Sequence, residues 1–388
     1  MVTSTAAQSP IGPAFVDRLA ERAREAEELR RLPTATVDDL LESGFTELLA
    51  PARFGGQQAD FPAILDPVRR MAHGCASSAW TIGFYALHNW LLALFDEQAQ
   101  AEAFASRPVL APAPLAPTGR GTPAPGGVRL SGRWSWATGA MHANWFMVGA
   151  LCGPDDEFYP ALALLPASDV EVVDVWHTDG MRATGSNDVV ITDVFVPGHR
   201  LVRAADIYAG TAPGAALHDS PTYRWPLVPA LALLAAMPAL GSAERVAGIY
   251  AERLSERVLA YDGVKQKDKP MAQARLGEAQ VRLRALRGLL TETVSEIDLL
   301  VRTGDPIGRG IRGQGRLAAA HIVHESRSVI GLLLSASGAS AHFVNNPLQR
   351  AKRDVDVLSG HIIFDYDTSR ELAGALSVGL RISPIAMV

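Results

Sequence analysis

Ten histidines are spread along the 388 residues, at 73, 88, 142, 177, 199, 218, 321, 324, 342 and 361. Two stand in settings that suit proton chemistry near neutral pH. His88 falls on the aromatic face of a helical stretch from Ser77 to Phe95, where Trp80, Phe84, Leu87 or His88, Leu91 and Phe95 recur every three to four residues. A core histidine bonded to a carbonyl would satisfy the same pattern. His361 follows RDVDVLSG, with Asp365 one turn on. An acid at that spacing would orient the ring and raise its pKa. His321, His324 and Glu325 stack on one helix, but the pattern is not HExxH and no fourth ligand is evident, so no metal is expected.

Three further segments carry clustered polar groups. In SGRWSWATG, Ser131 to Gly139, a strand bearing Trp134 and Trp136 runs into Thr138 and a glycine. A hydroxyl or backbone N–H at such a bend can donate to the ring nitrogen of a planar cofactor. An aromatic pair followed by a turn explains it equally. In GMRATGSNDVVITDVFVP, Gly180 to Pro197, Arg182, Thr184, Ser186 and Asn187 form a dense donor set ahead of a strand. It reads either as a hydrogen-bonded loop or as the lining of a cleft. In NPLQRAKRDVD, Asn346 to Asp356, Arg350, Lys352 and Arg353 sit near a helix start at Pro347. Cations beside a helix N-terminus suit a phosphate, and a salt-bridged surface is the plainer alternative.

The elements that must position these residues change character twice. Gly12 to Arg31 reads as one helix with an apolar stripe of Phe15, Leu19, Ala23, Ala26 and Leu29. Thr36 marks the start of another, ended by Gly44, and Asp96 caps a third over DEQAQAEAF. From Pro108 a proline- and glycine-rich stretch excludes helix. Strand-like runs follow between about Val128 and Pro197 with no long helical pattern between them, which predicts antiparallel pairing. Helical periodicity returns near Pro221 in four segments, at about 228–261, 271–302, 311–342 and 348–378, which read as an up-and-down bundle. The domains are therefore expected at 1–107 (helical), 108–220 (β) and 221–388 (helical bundle), an α+β class that is mostly helical.

Hydrophobic residues make up 48% of the chain and charged residues 20%, a globular composition. A net charge of -5 without a basic stripe gives no nucleic-acid surface. Two isolated cysteines suit a reducing compartment. The first ten residues read as a frayed start without the marks of a signal peptide. The longest apolar run, Val228 to Leu240, is shorter than the roughly 20 residues that span a bilayer and reads as a buried helix. No membrane association and a cytoplasmic location are expected. No GxGxxG follows a strand and no P-loop is present.

In this order, FGG (54–56), CASSAW (75–80), the stretch from His88, GRWSWATG-x-x-H-x-x-W (132–145), GMRATGSNDVVITDVFVP (180–197) and NPLQR-x-x-RD (346–354) with His361 resemble the acyl-CoA dehydrogenase fold family. More closely they resemble its flavin-dependent monooxygenase branch, the oxygenase components of two-component systems. The likeness runs from about residue 12 to 378. It implies an N-terminal helical domain, a middle antiparallel β-domain and a C-terminal four-helix bundle, assembled as a homotetramer. It further implies reduced flavin (FMNH2 or FADH2) and O2 as cofactors, a separate NAD(P)H:flavin reductase, and hydroxylation of an aromatic or polycyclic small molecule through a flavin C4a-hydroperoxide. The catalytic residues it implies are His88 toward the substrate, Thr138 near the flavin N5 and His361 beside the flavin. Trp136, Thr138, Arg182, Ser186 and Arg353 would surround the cofactor. Two other functions remain open on this resemblance: an acyl-CoA dehydrogenase-type oxidoreductase, and a non-catalytic flavin-fold interaction protein. The first would need a carboxylate base, yet SGHIIFDYD offers His361 and no glutamate before Glu371.

Overall fold

The computed structural model describes residues 11–154, 156–258, 263–383 and 386–388. The expected frayed start at residues 1–10 lies outside them. Six helices come first: α1 (Pro13–Glu21), α2 (Ala23–Leu29), α3 (Thr34–Ser43), α4 (Leu65–Met71), α5 (Ala76–Leu92) and α6 (Glu97–Phe104). The expected single helix over 12–31 is two, broken at Arg22, and Leu29 lies outside the buried stripe at 43% exposure. α3 begins at Thr34, with Pro33 rather than Thr36 at its cap. Asp96 does cap α6, its side chain accepting from the Gln98 N–H.

Seven strands follow: β1 (Gly119–Ala124), β2 (Gly127–Ala137), β3 (Trp145–Cys152), β4 (Tyr159–Pro166), β5 (Glu171–Val173), β6 (Asn187–Pro197) and β7 (Leu201–Arg203). They form one sheet in the order β5-β6-β2-β1-β3-β4-β7. All pairs are antiparallel except β1 with β3, which runs parallel. That pair makes the purely antiparallel expectation incomplete. β1 lies in the proline- and glycine-rich segment that carries no alternating pattern, so only its neighbours reveal it as a strand.

The chain closes with α7 (Ala204–Ala209), α8 (Leu227–Glu256), α9 (Pro270–Thr303), α10 (Arg309–Ser335), α11 (Pro347–Ser359) and α12 (Tyr366–Ser377). The fourth bundle segment expected over 348–378 is two helices, parted by Gly360 to Asp365. By length and composition α8 and α10 could cross a membrane, but 89% of the apolar window of α8 is buried inside the protein, which marks a core helix. α8 meets α4 at Gly241, where a Cβ would stand 2.0 Å from the Arg69 carbonyl oxygen. Only glycine allows this approach.

Two cores result. The sheet buries Leu130, Trp134, Phe146, Val148 and Val189 on one face. A larger core joins the first helices to the last, with Phe45, Trp90 and Leu92 packed among residues of α8 and α10. α5 is apolar almost all round, and every residue of it except Phe84 is buried. It therefore runs through the middle of this core, where it can meet both the end of β2 and the break after α11.

Candidate active site

β2 ends in a bulge. Trp134 pairs with Val189 and Ala137 with Asn187, so β2 holds one residue more than its partner there. Trp136 takes up the excess with φ +66°, a conformation that costs a non-glycine residue about 1–3 kcal/mol. Two residues apart on a regular strand, Trp134 and Trp136 would share a face. The bulge separates them. Trp134 is buried with its Nε1–H donating to the Gly149 carbonyl at 2.6 Å, and Trp136 is 67% exposed. Bulges commonly re-aim a side chain beside a site.

Gly139 then pins the strand end. Its carbonyl accepts from the Tyr85 hydroxyl of α5 at 2.5 Å, and its N–H donates to the Thr184 carbonyl at 2.8 Å. With φ +76° and Tyr85 Oη only 2.3 Å from where a Cβ would be, no other residue fits. Thr138, next to it, is half-buried and receives the Trp80 Nε1–H at 3.2 Å. Thr138 Oγ1 lies 3.0 Å from Ser186 Oγ, which lies 2.7 Å from Thr184 Oγ1. Ser186 is thus one bond behind Thr138, in the buried interior.

Trp80, Phe84 and His88 are four residues apart and share one face of α5. Their rings run in line, 4.8 Å from Trp80 to Phe84 and 5.2 Å from Phe84 to His88. His361 adds a fourth ring, 5.9 Å from Trp80. The two histidines stand at opposite ends of the aromatic face.

Their backbone partners fix opposite tautomers. His88 Nδ1 lies 2.6 Å from the Ala111 carbonyl, so Nδ1 carries the proton and Nε2 is an acceptor. His361 Nδ1 receives the Ile363 N–H at 3.2 Å, so in the neutral ring Nε2 is the donor. Burial pushes the His88 pKa down to about 4, against the smaller upward pull of its carbonyl bond. His361 is likewise pushed down to about 4 by its crowded surroundings. His361 is nevertheless exposed, and its contact with solvent moderates that push. Asp365 does not orient His361 as expected. It caps α12 by accepting from the Thr368 N–H at 2.7 Å, and the His361 pKa falls rather than rises.

The loop ahead of β6 is clamped from below. Buried Asp354 of α11 accepts from the Met181 N–H at 2.7 Å, and burial raises its carboxyl to about 6. Arg353 bonds Gln349 at 2.8 Å, the Asp179 carbonyl, and Glu27 of α2 at 2.5 Å. Its guanidinium ties three elements together within the chain. Arg182 donates from Nε to the Glu27 carbonyl at 3.2 Å. Lys352 pairs with Asp356.

The structure brings His88, Thr138, Ser186 and His361 to one aromatic-walled region. Arg182 and Arg353 stand behind it as struts. Trp80, Phe84, Tyr85 and Thr184 also belong to the arrangement: the periodic face of α5 signals the first two, the donor set before β6 signals Thr184, and nothing in the sequence signals Tyr85. Other histidines are tied elsewhere: His73 to Glu244, His142 to the Leu32 carbonyl, His199 to Glu102, His218 to Gln100. His321 bonds the Tyr366 hydroxyl, His324 stacks on that ring, and Glu325 pairs with Arg282. Among the described residues no three potential metal ligands cluster.

Residues 233–366 match the family model "Acyl-CoA dehydrogenase, C-terminal domain". The chain is 34% identical over 373 residues to the flavin-dependent monooxygenase, oxygenase subunit HsaA, of Rhodococcus jostii, covering 95% of this chain and 98% of that protein. It belongs to the flavin-dependent monooxygenases of the acyl-CoA dehydrogenase fold. The crystal structure of 3-HSA hydroxylase from Rhodococcus sp. RHA1 superposes with a TM-score of 0.92 at 33% identity, covering 97% of each chain. XiaF from Streptomyces, in complex with FADH2 and glycerol, superposes with a TM-score of 0.89 at 28% identity, over 96% of this chain and 94% of that one. Members of this family are oxygenase components served by a separate flavin reductase, and this chain is such an enzyme.

Proposed function

We propose that reduced flavin lies against Thr138 and the aromatic face of α5, and that an aromatic substrate is hydroxylated between His361 and His88. The observation that carries this reading is the pair of oppositely polarised histidines at the two ends of one aromatic face. The residues fit the cofactor. Trp80, Phe84 and the exposed Trp136 supply apolar ring surface, while Thr138 Oγ1 and His361 Nε2 supply polar contacts for the edge of a flat heterocycle. When bound, reduced flavin activates O2 and delivers one oxygen atom to the substrate.

The protein's own part is position, polarity and dryness. His361 directs an N–H toward the reacting oxygen and keeps it from escaping as peroxide. His88 Nε2 accepts the hydrogen of a substrate hydroxyl and so raises the electron density of its ring. Being neutral above about pH 4, His88 is an acceptor throughout the physiological range. Phe84, the one incompletely buried residue of α5, meets the ring of the substrate. Buried Trp80, His88 and Ser186 keep water from the inner side of the site. Trp136, Arg182, Ser186 and Arg353 complete the cofactor side, the last three by holding the loop that supports Thr138.

The tail around His361 offers no buried glutamate base for an acyl-CoA dehydrogenase reaction, which disfavours that reading. Glu371, the first glutamate after His361, is exposed on α12. The expected homotetramer and cytoplasmic location belong to this proposal. Exposed Phe343, Val344, Ile362, Val378 and Leu380 give further copies an apolar surface to cover.

The test is to supply FMNH2 or FADH2 from a reductase with NADH, add a panel of phenols and other aromatics, and measure hydroxylated product against peroxide. Product formation with suppressed peroxide is expected. Failure to bind either reduced flavin, or peroxide alone with every aromatic, overturns the proposal.

A further inference from the structure

Four hydrogen bonds link α5 to the loop before β6 in a single line. The Trp80 indole donates to Thr138 at 3.2 Å, Thr138 lies 3.0 Å from Ser186, Ser186 lies 2.7 Å from Thr184, and Thr184 lies 2.9 Å from the Met181 carbonyl. Both ends of this line are chemically fixed. An indole N–H can only donate, and a carbonyl oxygen can only accept. Each hydroxyl between them has one proton. All four bonds form in one arrangement only: Thr184 donates to Met181, Ser186 to Thr184, and Thr138 to Ser186. Reversing any hydroxyl leaves two protons facing each other or a bond with none. Reversing the whole line loses the Thr184 hydroxyl bond to Met181, whose carbonyl then keeps the Trp176 Nε1–H at 2.9 Å and the Thr184 N–H at 3.2 Å. Ser186 and Thr184 are 4% and 2% exposed, so water does not replace the lost bond.

The consequence falls on Thr138, the one half-buried member of the line. Its proton is committed inward to Ser186, and one lone pair takes the indole proton. What remains for a ligand is a lone pair. Thr138 therefore accepts, in contrast to the donor role expected of it from sequence. We propose that this relay makes Thr138 an acceptor by the margin of one hydrogen bond and thereby favours reduced over oxidised flavin. The reduced ring carries a hydrogen on N5, which meets the lone pair. The oxidised ring carries a lone pair on N5, which faces another. Ser186 and Thr184 are then positioning residues, setting a proton's direction without touching the cofactor. This rests on the placement of flavin N5 against Thr138 proposed above.

Dissociation constants for FMNH2 and FADH2, and for FMN and FAD, measured by anaerobic titration test the relay. The proteins compared are wild type, Ser186→Ala, Thr184→Val and Thr184→Ser. In Ser186→Ala the Thr138 hydroxyl is released and can turn outward to donate. In Thr184→Val the Ser186 proton loses its acceptor and turns back toward Thr138, with the same effect. Each should lower the preference for the reduced state by about fivefold to tenfold, the worth of one hydrogen bond. Thr184→Ser should keep the wild-type preference. The ratio within each protein is insensitive to a fraction of misfolded material. The midpoint potential of bound flavin reports the same ratio, at about 30 mV per tenfold. Unchanged preference in both Ser186→Ala and Thr184→Val, with both redox states still bound, refutes the relay and leaves the site standing. Loss of preference in Thr184→Ser also refutes it. Absence of flavin binding in the wild type overturns the site and the relay together.

Discussion

Acidification should weaken the fold through His88, and the loss can be sized from its surroundings. The ring is 4% exposed and its pKa is pushed from 6.5 to about 4. The unfolded chain leaves it near the ordinary value. Between these two values the unfolded state binds the extra proton, so stability falls as pH drops below about 6.5 and the loss is complete below about 4. The shift corresponds to about 3 kcal/mol, a large part of the stability of an ordinary domain. Replacing His88 with Asn keeps a donor for the Ala111 carbonyl and removes the titration. Urea unfolding of both proteins at several pH values from 7 to 4, at one fixed protein concentration, isolates the effect as a difference in slope. Wild type should lose about 3 kcal/mol more than His88→Asn across this range. Parallel pH profiles, or an NMR titration of His88 near 6.5, would refute the buried neutral ring and with it the acceptor role at Nε2.

His361→Ala should raise the peroxide released per reduced flavin oxidised while substrate affinity is kept; unchanged coupling removes His361 from the reaction. Phe84→Ala should weaken aromatic substrate binding at least about fivefold, since a stacked ring pair contributes about 1 kcal/mol beyond its buried area, and equilibrium titration reads it directly. Gly241→Ala should destabilise by about 2 kcal/mol, within the range for overpacked sites. Its new methyl would meet the Arg69 carbonyl, and a thermal melt equal to wild type would contradict the close helix crossing.

The sequence showed most plainly what depends on local pattern. The Asp96 cap and the buried run from Val228 are capping and composition, and each is present. The α5 helix is present too, but it is buried almost all round rather than on one stripe, and Phe84 of the expected buried face is its least buried residue. What escaped depends on partners far along the chain. β1 has no alternating pattern, and its strand geometry comes from β2 and β3 on either side. Gly360 to Asp365 reads as helix by composition, yet there the chain forms a short turn capped by His361 and ended by Asp365. The basic run near Pro347 suggested a phosphate, but Arg353 finds Glu27, far upstream, which no spacing rule reveals. His88 and His361 were visible as candidates one at a time. Their opposite polarity was not, because it is set by the Ala111 carbonyl and the Ile363 N–H.

The core that joins the first helices to the last bears on how the protein is made. α5 carries His88 and the aromatic face, but its neighbours in the core include α8 and α11, which leave the ribosome much later. During synthesis the apolar surface of α5 must wait while the whole sheet is translated. The sheet has a core of its own and can close in that interval. Contacts so distant in sequence slow folding and expose sticky surface meanwhile. Release of chains truncated before α8 should therefore yield a folded sheet attached to an aggregating helical segment. The region where His88, Thr138 and His361 come together is among the last parts of this molecule to exist.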